Sequence, residues 1–322
     1  MNTKINQPKD DFSYIDFGDK RLSVRLQKTV ENLTKNTGAS ILGSGKGRSE
    51  AKGFYRLLSN EKFDMSQLQG AVYGSTLSRL NGIVLLIQDT SDINLNGHKK
   101  TESPGYSSEH VKGIKLHSCI AMSPLGIPFG LASQSYETRE VAKSAGKQSR
   151  PIEEKESYRR LETMREATEF APEGVHYVTV CDREGDFYEL YAEAVELETD
   201  FVIRVTHDRN CDENEKTASK IRRQGAVGTV TVNIPRDSRS GAKARTAEME
   251  VAYCHVSVNK PANVTDKTVA PKISMTLVRI TEVNPPDGCD PIEWILAASL
   301  PIGSAEDAMA IVEYYIQRWN PG

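Results

Sequence analysis

The sequence predicts a mixed α/β protein that begins with a small helical domain. Apolar residues recur at helical spacing between residues 19 and 80. Beyond residue 82, short runs rich in Ile, Val and Leu mark buried strands, and helical segments alternate with them. The 322 residues are 38% hydrophobic and 26% charged, a composition that excludes disordered and fibrous proteins.

The helical domain is predicted over residues 1–80. Its first helix starts near Asp19, and its apolar stripe consists of Leu22, Leu26, Val30 and Leu33. A Gly- and Ser-rich loop follows, and Ser49 is predicted to cap a second helix in which Tyr55 packs against its neighbours. A third helix is predicted over 65–80. These elements form a basic, all-helical domain.

The α/β core is predicted in two parts, 81–207 and 293–322, separated by a β-rich insertion over 208–292. The predicted core strands are 82–89, 114–122, 129–137, 176–182, 201–207 and 293–301. Helices are predicted over 153–170 and 186–197, and a final helix begins with Ser304 and Asp307 at capping-box spacing. The alternation indicates a mixed sheet with flanking helices.

Charge is distributed unevenly along the chain. The net charge is −3 overall, but it is +5 over residues 1–80, −7 over 141–200 and +4 over 201–260. This pattern fits a polyanion held by the basic blocks and a cation held in the acidic centre, but taken alone it is better explained by chance patchiness. The polar start and the absence of a long apolar run predict a cytoplasmic protein without a membrane span.

Two aspartates follow separate predicted core strands and are candidates for a metal site. Asp89 ends the run GIVLLIQD, and Asp182 ends HYVTVCD. Carboxylates that converge at strand ends are ligands for Mg²⁺, and such sites catalyse phosphoryl transfer. A simpler interpretation stays open, in which Asp89 starts a turn and Asp182 pairs with Arg183.

Several motifs along the whole chain resemble the DDE transposases of bacterial insertion sequences, in the group with a Tyr-Arg-Glu-Lys signature. The motifs are FGDKRLSVRL, GFYRLLSN, IQDTSDI, EKES, VCDREGDFYEL, FVIRVTH, VNPPDGCDPIEWILAASLP and YYIQRW. They occur in the order and spacing of that family. The resemblance implies a ribonuclease-H-like core that cuts transposon ends and joins them to target DNA.

The resemblance also implies roles for individual residues. Asp89 and Asp182 correspond to ligands of Mg²⁺ or Mn²⁺, and Arg204 to a phosphate contact. Trp294 matches an aromatic residue that stacks on a flipped-out base. The remaining expected contacts to double-stranded DNA at the inverted-repeat ends are Tyr315 and Arg318 of the signature, and Arg25 and Arg56 of the helical domain. The expected location is the bacterial cytoplasm, at the nucleoid.

The sequence departs from the signature at one ligand. The signature glutamate is expected four positions after Arg318, where this chain has Gly322, and the signature lysine and the C-terminal dimerisation region are not present in the sequence. Glu184 is expected to point away from Asp182 and not to replace the missing carboxylate. We therefore expect a transposase truncated at its third ligand, with little or no strand cleavage.

Two alternatives remain open at this stage. The chain could bind transposon ends without cutting them and so inhibit a full-length transposase. A metal-dependent hydrolase that does not act on DNA is the other alternative, and the basic N-terminal helices and Trp294 speak against it.

Overall fold

The structure is a computed structural model that describes residues 12, 15–45, 47–102, 104–139, 152, 155–212, 215–236 and 243–319. The chain divides into two compact units, Met1–Arg79 and Leu80–Gly322, which we call the helical unit and the sheet unit. In the described parts of both units, no helix has the length and apolar character needed to cross a membrane.

The helical unit is built around a small apolar core. Its helices are α1 (Lys20–Lys35), α2 (Ile41–Ser44), α3 (Arg48–Leu58) and α4 (Met65–Leu77). Ile15, Phe17, Leu26 and Leu57 are buried together. Helix α1 starts next to Asp19, as predicted, and the Asp19 carboxylate caps it by accepting a hydrogen bond from the Arg21 amide.

The predicted start of the second long helix is wrong by two residues. Helix α3 begins at Arg48 and not after Ser49, because Gly47, at φ 124°, takes the N-cap position. This backbone conformation is in the left-handed region that only glycine adopts easily, so the chain turns into the helix before Ser49. The preceding loop also contains the short helix α2, which sequence periodicity did not indicate.

The sheet unit contains one large mixed sheet, which confirms the predicted class of fold. Among the described residues its twelve strands are β1 (Gly82–Asn94), β2 (Tyr106–Ser108), β3 (Val111–Met122), β4 (Pro128–Glu137), β5 (Val175–Cys181), β6 (Asp200–Arg204), β7 (Asn210–Cys211), β8 (Glu215–Lys216), β9 (Gly228–Ile234), β10 (Arg245–Asn259), β11 (Lys272–Glu282) and β12 (Glu293–Ala298). The order across the sheet is β2-β3-β1-β5-β6-β12-β11-β10-β7-β8, with β4 on β3 and β9 on β10.

Parallel pairing is confined to the centre of the sheet. Strands β1, β5 and β6 run parallel to one another, and the other pairs are antiparallel. Strand β12 joins β6 to β11, so the strands of residues 208–292 extend the core sheet. Strands β3 and β4 form the antiparallel hairpin that the sequence predicted.

Helices cover both faces of the central strands. They are α5 (Tyr158–Thr168), α6 (Tyr188–Glu196) and α8 (Ala305–Ile316), whereas α7 (Thr217–Arg222) packs on β10 and β11. Helix α8 packs on the face that carries Leu85, Ile87, Val178 and Val180, and it starts with the predicted capping box of Ser304 and Asp307. Helices α5 and α6 pack on the opposite face, against Cys181, Phe201 and Ile203.

Candidate active site

Asp89 and Asp182 lie at equivalent positions on neighbouring parallel strands. Ile87 and Val180 form the last parallel pair of β1 with β5, and each aspartate lies two residues further along its strand. Because side chains alternate between the faces of a strand, both aspartates project to the face covered by α8. One feature differs from the prediction: β1 continues past Asp89 to Asn94, paired with β3, so Asp89 does not start a turn.

Arg318 links the two aspartates. Its Nη2 lies 3.1 Å from Oδ1 of Asp89 and 3.9 Å from Oδ2 of Asp182. The two carboxylate oxygens are therefore no further apart than the sum of these distances. The Asp89 side chain is 63% exposed and that of Asp182 31% exposed, while the Arg318 side chain is 10% exposed. The structure thus brings together three of the residues that the sequence singled out.

A second arginine holds Asp182 from the other side. Arg160 of α5 has a side chain that is 1% exposed, and its Nη2 donates to Oδ1 of Asp182 at 3.2 Å and to Oε2 of Glu184 at 2.9 Å. The amide of Glu184 also donates to the same oxygen of Asp182, at 3.0 Å. These bonds fix Oδ1 and leave Oδ2 of Asp182 on the side of Arg318.

The expectation that Glu184 points away from Asp182 is wrong. Residues Arg183–Gly185 form a single 3₁₀ turn capped by the Asp182 side chain. This tight turn brings the carboxylates of residues 182 and 184 onto one guanidinium nitrogen. Asp182 therefore pairs with Arg160, a residue 22 positions away, and not with its neighbour Arg183, as the simpler interpretation had it.

A buried histidine connects the residues on either side of Asp89. His117 pairs with Thr90 across β1 and β3, its Nδ1 lies 2.8 Å from the Thr90 hydroxyl, and its Nε2 lies 3.2 Å from Oε1 of Gln88. The Gln88 amide donates to the carbonyl oxygen of Arg160 at 3.3 Å. Burial, reinforced by the positive charges of Arg160 and Arg159, lowers the pKa of His117 to about 3. The ring is neutral at pH 7 and ties β1 to β3 and α5.

Three aromatic rings form a cluster beside this site. Trp294 lies 5.9 Å from Tyr315 and 4.9 Å from Trp319 between ring centroids, and Trp294 is only 5% exposed. The Arg204 guanidinium lies 5.6 Å from the Trp294 ring. Burial lowers the pKa of Arg204, although the Tyr315 hydroxyl opposes that shift. Contact of Trp294 with a base stays a prediction, because the ring is almost fully buried in this structure.

The donor set suits a hard divalent cation. Two carboxylates face each other at the ends of adjacent strands, they are partly exposed, and a positive group already lies between them. Carboxylate oxygens are the ligands that Mg²⁺ and Mn²⁺ prefer. Asp89 and Asp182 have the chemistry of ligands for such an ion, but the described residues contain no group of three or more His, Cys, Asp or Glu side chains that could hold one. Position 322, where the signature glutamate was expected, lies outside the described residues.

Sequence reasoning missed Arg160, Gln88 and His117. Arg160 belongs to a stretch that reads as a charged surface helix, and nothing in its spacing indicates that its side chain is buried. His117 is buried within β3. Its hydrogen bonds to Gln88 and Thr90 depend on strand register, which a single sequence does not reveal.

The helical unit presents a basic face on α3. Arg48, Lys52 and Arg56 follow one another at intervals of four residues, so they share one side of the helix, and all three are exposed. Together with Tyr55 and Leu42 they line a shallow surface groove. The prediction that Tyr55 packs against other helices is wrong, since its side chain is 57% exposed. The apolar side of α3 is instead formed by Ala51 and Leu57.

Arg25 of α1 lies over the middle of α3. Its guanidinium passes so close to Gly53 that a Cβ there would lie 2.8 Å from Nη1. The neighbouring Lys28 forms an ion pair with Glu50 at 2.6 Å. Of the two predicted DNA contacts in this unit, Arg56 is thus exposed on α3, and Arg25 is half-buried against it.

These features define the first unit as a basic helical domain with an exposed, positively charged helix. Residues 8–63 match the family model described as transposase DNA-binding. The chain therefore carries a transposase DNA-binding domain at its N-terminal end, which implies binding to transposon-end DNA in transposition.

Proposed function

We propose that this chain is a DDE-type transposase that binds inverted-repeat transposon ends through its helical unit. On this proposal the sheet unit is a ribonuclease-H-like catalytic core that holds Mg²⁺ or Mn²⁺. The observation that carries the proposal is the match of residues 8–63 to a transposase DNA-binding domain. The equivalent placement of Asp89 in β1 and of Asp182 directly after the adjacent parallel strand β5 supports the catalytic part.

Helix α3 is the proposed DNA-reading element. An α-helix fits the major groove of B-DNA, and arginine and lysine are the side chains that reach phosphates and guanine edges there. The basic stripe of Arg48, Lys52 and Arg56 meets this requirement, and Tyr55 adds an exposed ring next to it. Arg25 crosses the same helix, and its guanidinium lies against Gly53, next to the basic stripe of α3.

Asp89 and Asp182 are the proposed ligands of the catalytic ion. A bound divalent cation would activate the attacking water or DNA hydroxyl and neutralise charge on the leaving oxygen. The protein contributes geometry, because Arg160 and the Glu184 amide hold Asp182 so that Oδ2 faces Asp89. His117 fixes the strand segment from Gln88 to Thr90, which contains Asp89.

The aromatic cluster and its arginines are proposed to hold the DNA strand beside the ion. Arg204 lies over Trp294, and Arg318 lies over the Tyr315 ring at 5.7 Å. Guanidinium groups above aromatic faces combine phosphate binding with a stacking surface. This arrangement supports the predicted roles of Arg204 and Arg318 as phosphate contacts. Tyr315, 1% exposed, and Trp294, 5% exposed, would have to be uncovered before either could contact DNA.

We further propose that strand cleavage by this sequence is weak. Glycine at position 322 supplies no side-chain oxygen where the signature has a glutamate. Two carboxylates hold a divalent ion less tightly than three. A chain that occupies the ends but cuts slowly would then inhibit a transposase that has all three carboxylates.

End binding is tested first, by fluorescence anisotropy with a labelled duplex of the inverted repeat and with a scrambled duplex. We expect tighter binding to the repeat, and a log–log salt slope of about 0.9 for each phosphate that the protein neutralises. Equal affinity for both duplexes at every salt concentration would contradict specific end recognition.

Cleavage is tested with the same duplex and Mg²⁺ or Mn²⁺. We expect slow nicking that Asp89→Asn and Asp182→Asn abolish, while both variants still bind the duplex through the helical unit. Asp92→Asn is the matched control, because Asp92 lies on the same strand but on the other face, where it pairs with Lys115 at 3.7 Å. Nicking that survives both active-site substitutions would show that the two aspartates are not the metal ligands.

A further inference from the structure

Arg318 lies where a shared cation would bind. Its Nη2 lies within reach of one oxygen from each aspartate, at 3.1 Å from Asp89 and 3.9 Å from Asp182. A divalent ion held by both carboxylates needs the space between the same two oxygens. The guanidinium and the ion carry charges of the same sign, so they repel each other in this partly buried position.

The backbone of Arg318 is held in place, while its guanidinium is held loosely. Residues Gln317–Trp319 form a 3₁₀ turn after α8, and the Gln317 side chain donates to the carbonyl oxygen of Pro124 at 3.3 Å. Nη2 of the guanidinium makes the ion-pair contacts to both aspartates, and Nε is buried without a hydrogen-bond partner among the described residues. The backbone of Arg318 is therefore fixed, whereas its guanidinium does not make all of the hydrogen bonds that it could donate.

Arg160, the other arginine paired with Asp182, differs from Arg318 in its position and burial. It approaches from the opposite side, bonds to Oδ1, and is almost completely buried. It does not lie between the two aspartates, so metal binding leaves it undisturbed. Arg318 differs because it contacts both carboxylates on the exposed side, where DNA and an ion would arrive.

We propose that Arg318 is an internal counter-ion that occupies the cation position between Asp89 and Asp182 until a DNA phosphate draws its guanidinium away. This inference rests on the proposed function, in which the two aspartates bind a divalent ion and Arg318 contacts DNA. Metal ion and DNA then strengthen each other's binding, because both are favoured by the same displaced position of one side chain. The free protein binds metal weakly, and the site becomes competent once DNA is present.

The proposal is tested on the full chain without DNA, by titration with Mn²⁺ followed by electron paramagnetic resonance of the free ion. We expect Arg318→Gln to bind Mn²⁺ about tenfold more tightly than the unchanged protein, within the ~5–150-fold range of such couplings. Arg318→Lys keeps the charge and is expected to bind as weakly as the unchanged protein. Arg318→Met, which retains packing on the Tyr315 ring, replaces the Gln variant if that variant does not fold.

Two controls make the outcome specific. Arg165→Gln removes one positive charge from the exposed pair that Arg165 forms with Glu193, and its Mn²⁺ affinity is expected to be unchanged. Asp182→Asn is expected to remove the tightened binding from the Arg318→Gln background. The counter-ion proposal is overturned if Arg318→Gln binds no more tightly than the unchanged protein while Asp182→Asn still weakens binding. If Asp182→Asn has no effect in any background, the metal site of the proposed function fails as well.

Discussion

The two units place their candidate functional residues in opposite ways. In the helical unit, Arg48, Lys52, Tyr55 and Arg56 come from one helix and are exposed. In the sheet unit, Asp89, Asp182 and Arg318 come from three distant segments and rest on buried side chains such as Arg160 and His117. An exposed surface is changed without disturbing the fold, whereas a site built on buried charges is coupled to stability.

Both tryptophans of the chain, Trp294 and Trp319, lie in the sheet unit. Their fluorescence therefore reports the unfolding of that unit alone. This makes it possible to compare the effects of substitutions on sheet-unit stability with their effects on DNA affinity.

The largest expected effect is that of Arg160→Met. The substitution leaves Asp182 and Glu184, which are 31% and 64% exposed, without their shared guanidinium partner, and the loss of these charged hydrogen bonds costs about 2 kcal/mol. Urea unfolding followed by tryptophan fluorescence measures this loss, and Arg165→Met at the exposed pair with Glu193 is expected to cost less than about 1 kcal/mol. Equal costs for the two variants would remove the contrast between buried and exposed charges.

The next effect is the pH dependence contributed by His117. Its pKa is about 3 in the folded protein, below the ordinary value of 6.5, so the unfolded chain takes up this proton first as the pH falls. The contribution of His117 to the free energy of unfolding is complete above pH 6.5. It is lost between pH 6.5 and 3, at about 1.4 kcal/mol per pH unit at most. We expect His117→Gln to flatten the stability profile between pH 7 and 5. An unchanged slope in the variant would show that other groups control it.

A smaller effect, on affinity alone, is expected for Lys52→Ala. Loss of one groove contact costs about 1 kcal/mol in DNA binding and lowers the salt slope by about 0.9 if the contact is to a phosphate. The circular-dichroism melting curve is expected to stay unchanged, because the Lys52 side chain is exposed. Lys62→Ala, in the turn after α3, is a matched control that keeps the groove intact. A drop in melting temperature as large as that of Arg160→Met would contradict the comparison.

The smallest expected effect is that of Gly53→Ala. The new methyl group would lie 2.8 Å from Nη1 of Arg25, so the guanidinium must move, at little cost because its side chain is flexible. Stability is preserved and end-DNA affinity falls a few-fold. In a double-mutant cycle with Arg25→Ala, the two losses are expected not to add, since both act through the same guanidinium. Additive losses would mean that Gly53 and Arg25 act independently.

Local patterns predicted most elements of both units. The stripe from Leu22 to Leu33, the apolar run before Asp89 and the capping box at Ser304 each depend on neighbouring residues only, and all correspond to elements of the structure. Element boundaries were predicted less accurately. The N-cap at Gly47 depends on backbone conformation, and the continuation of β1 to Asn94 depends on strand pairing.

The sequence by itself determined the order of helices and strands, the basic helical domain and the positions of Asp89 and Asp182. These features follow from periodicity and residue type, which act over a few positions. Only the tertiary structure decided that Arg160 is buried beneath Asp182, that His117 joins Gln88 to Thr90, and that Arg318 lies between the two aspartates. These contacts join residues 22 to 229 positions apart, and they exist because sheet register and helix packing bring distant side chains together.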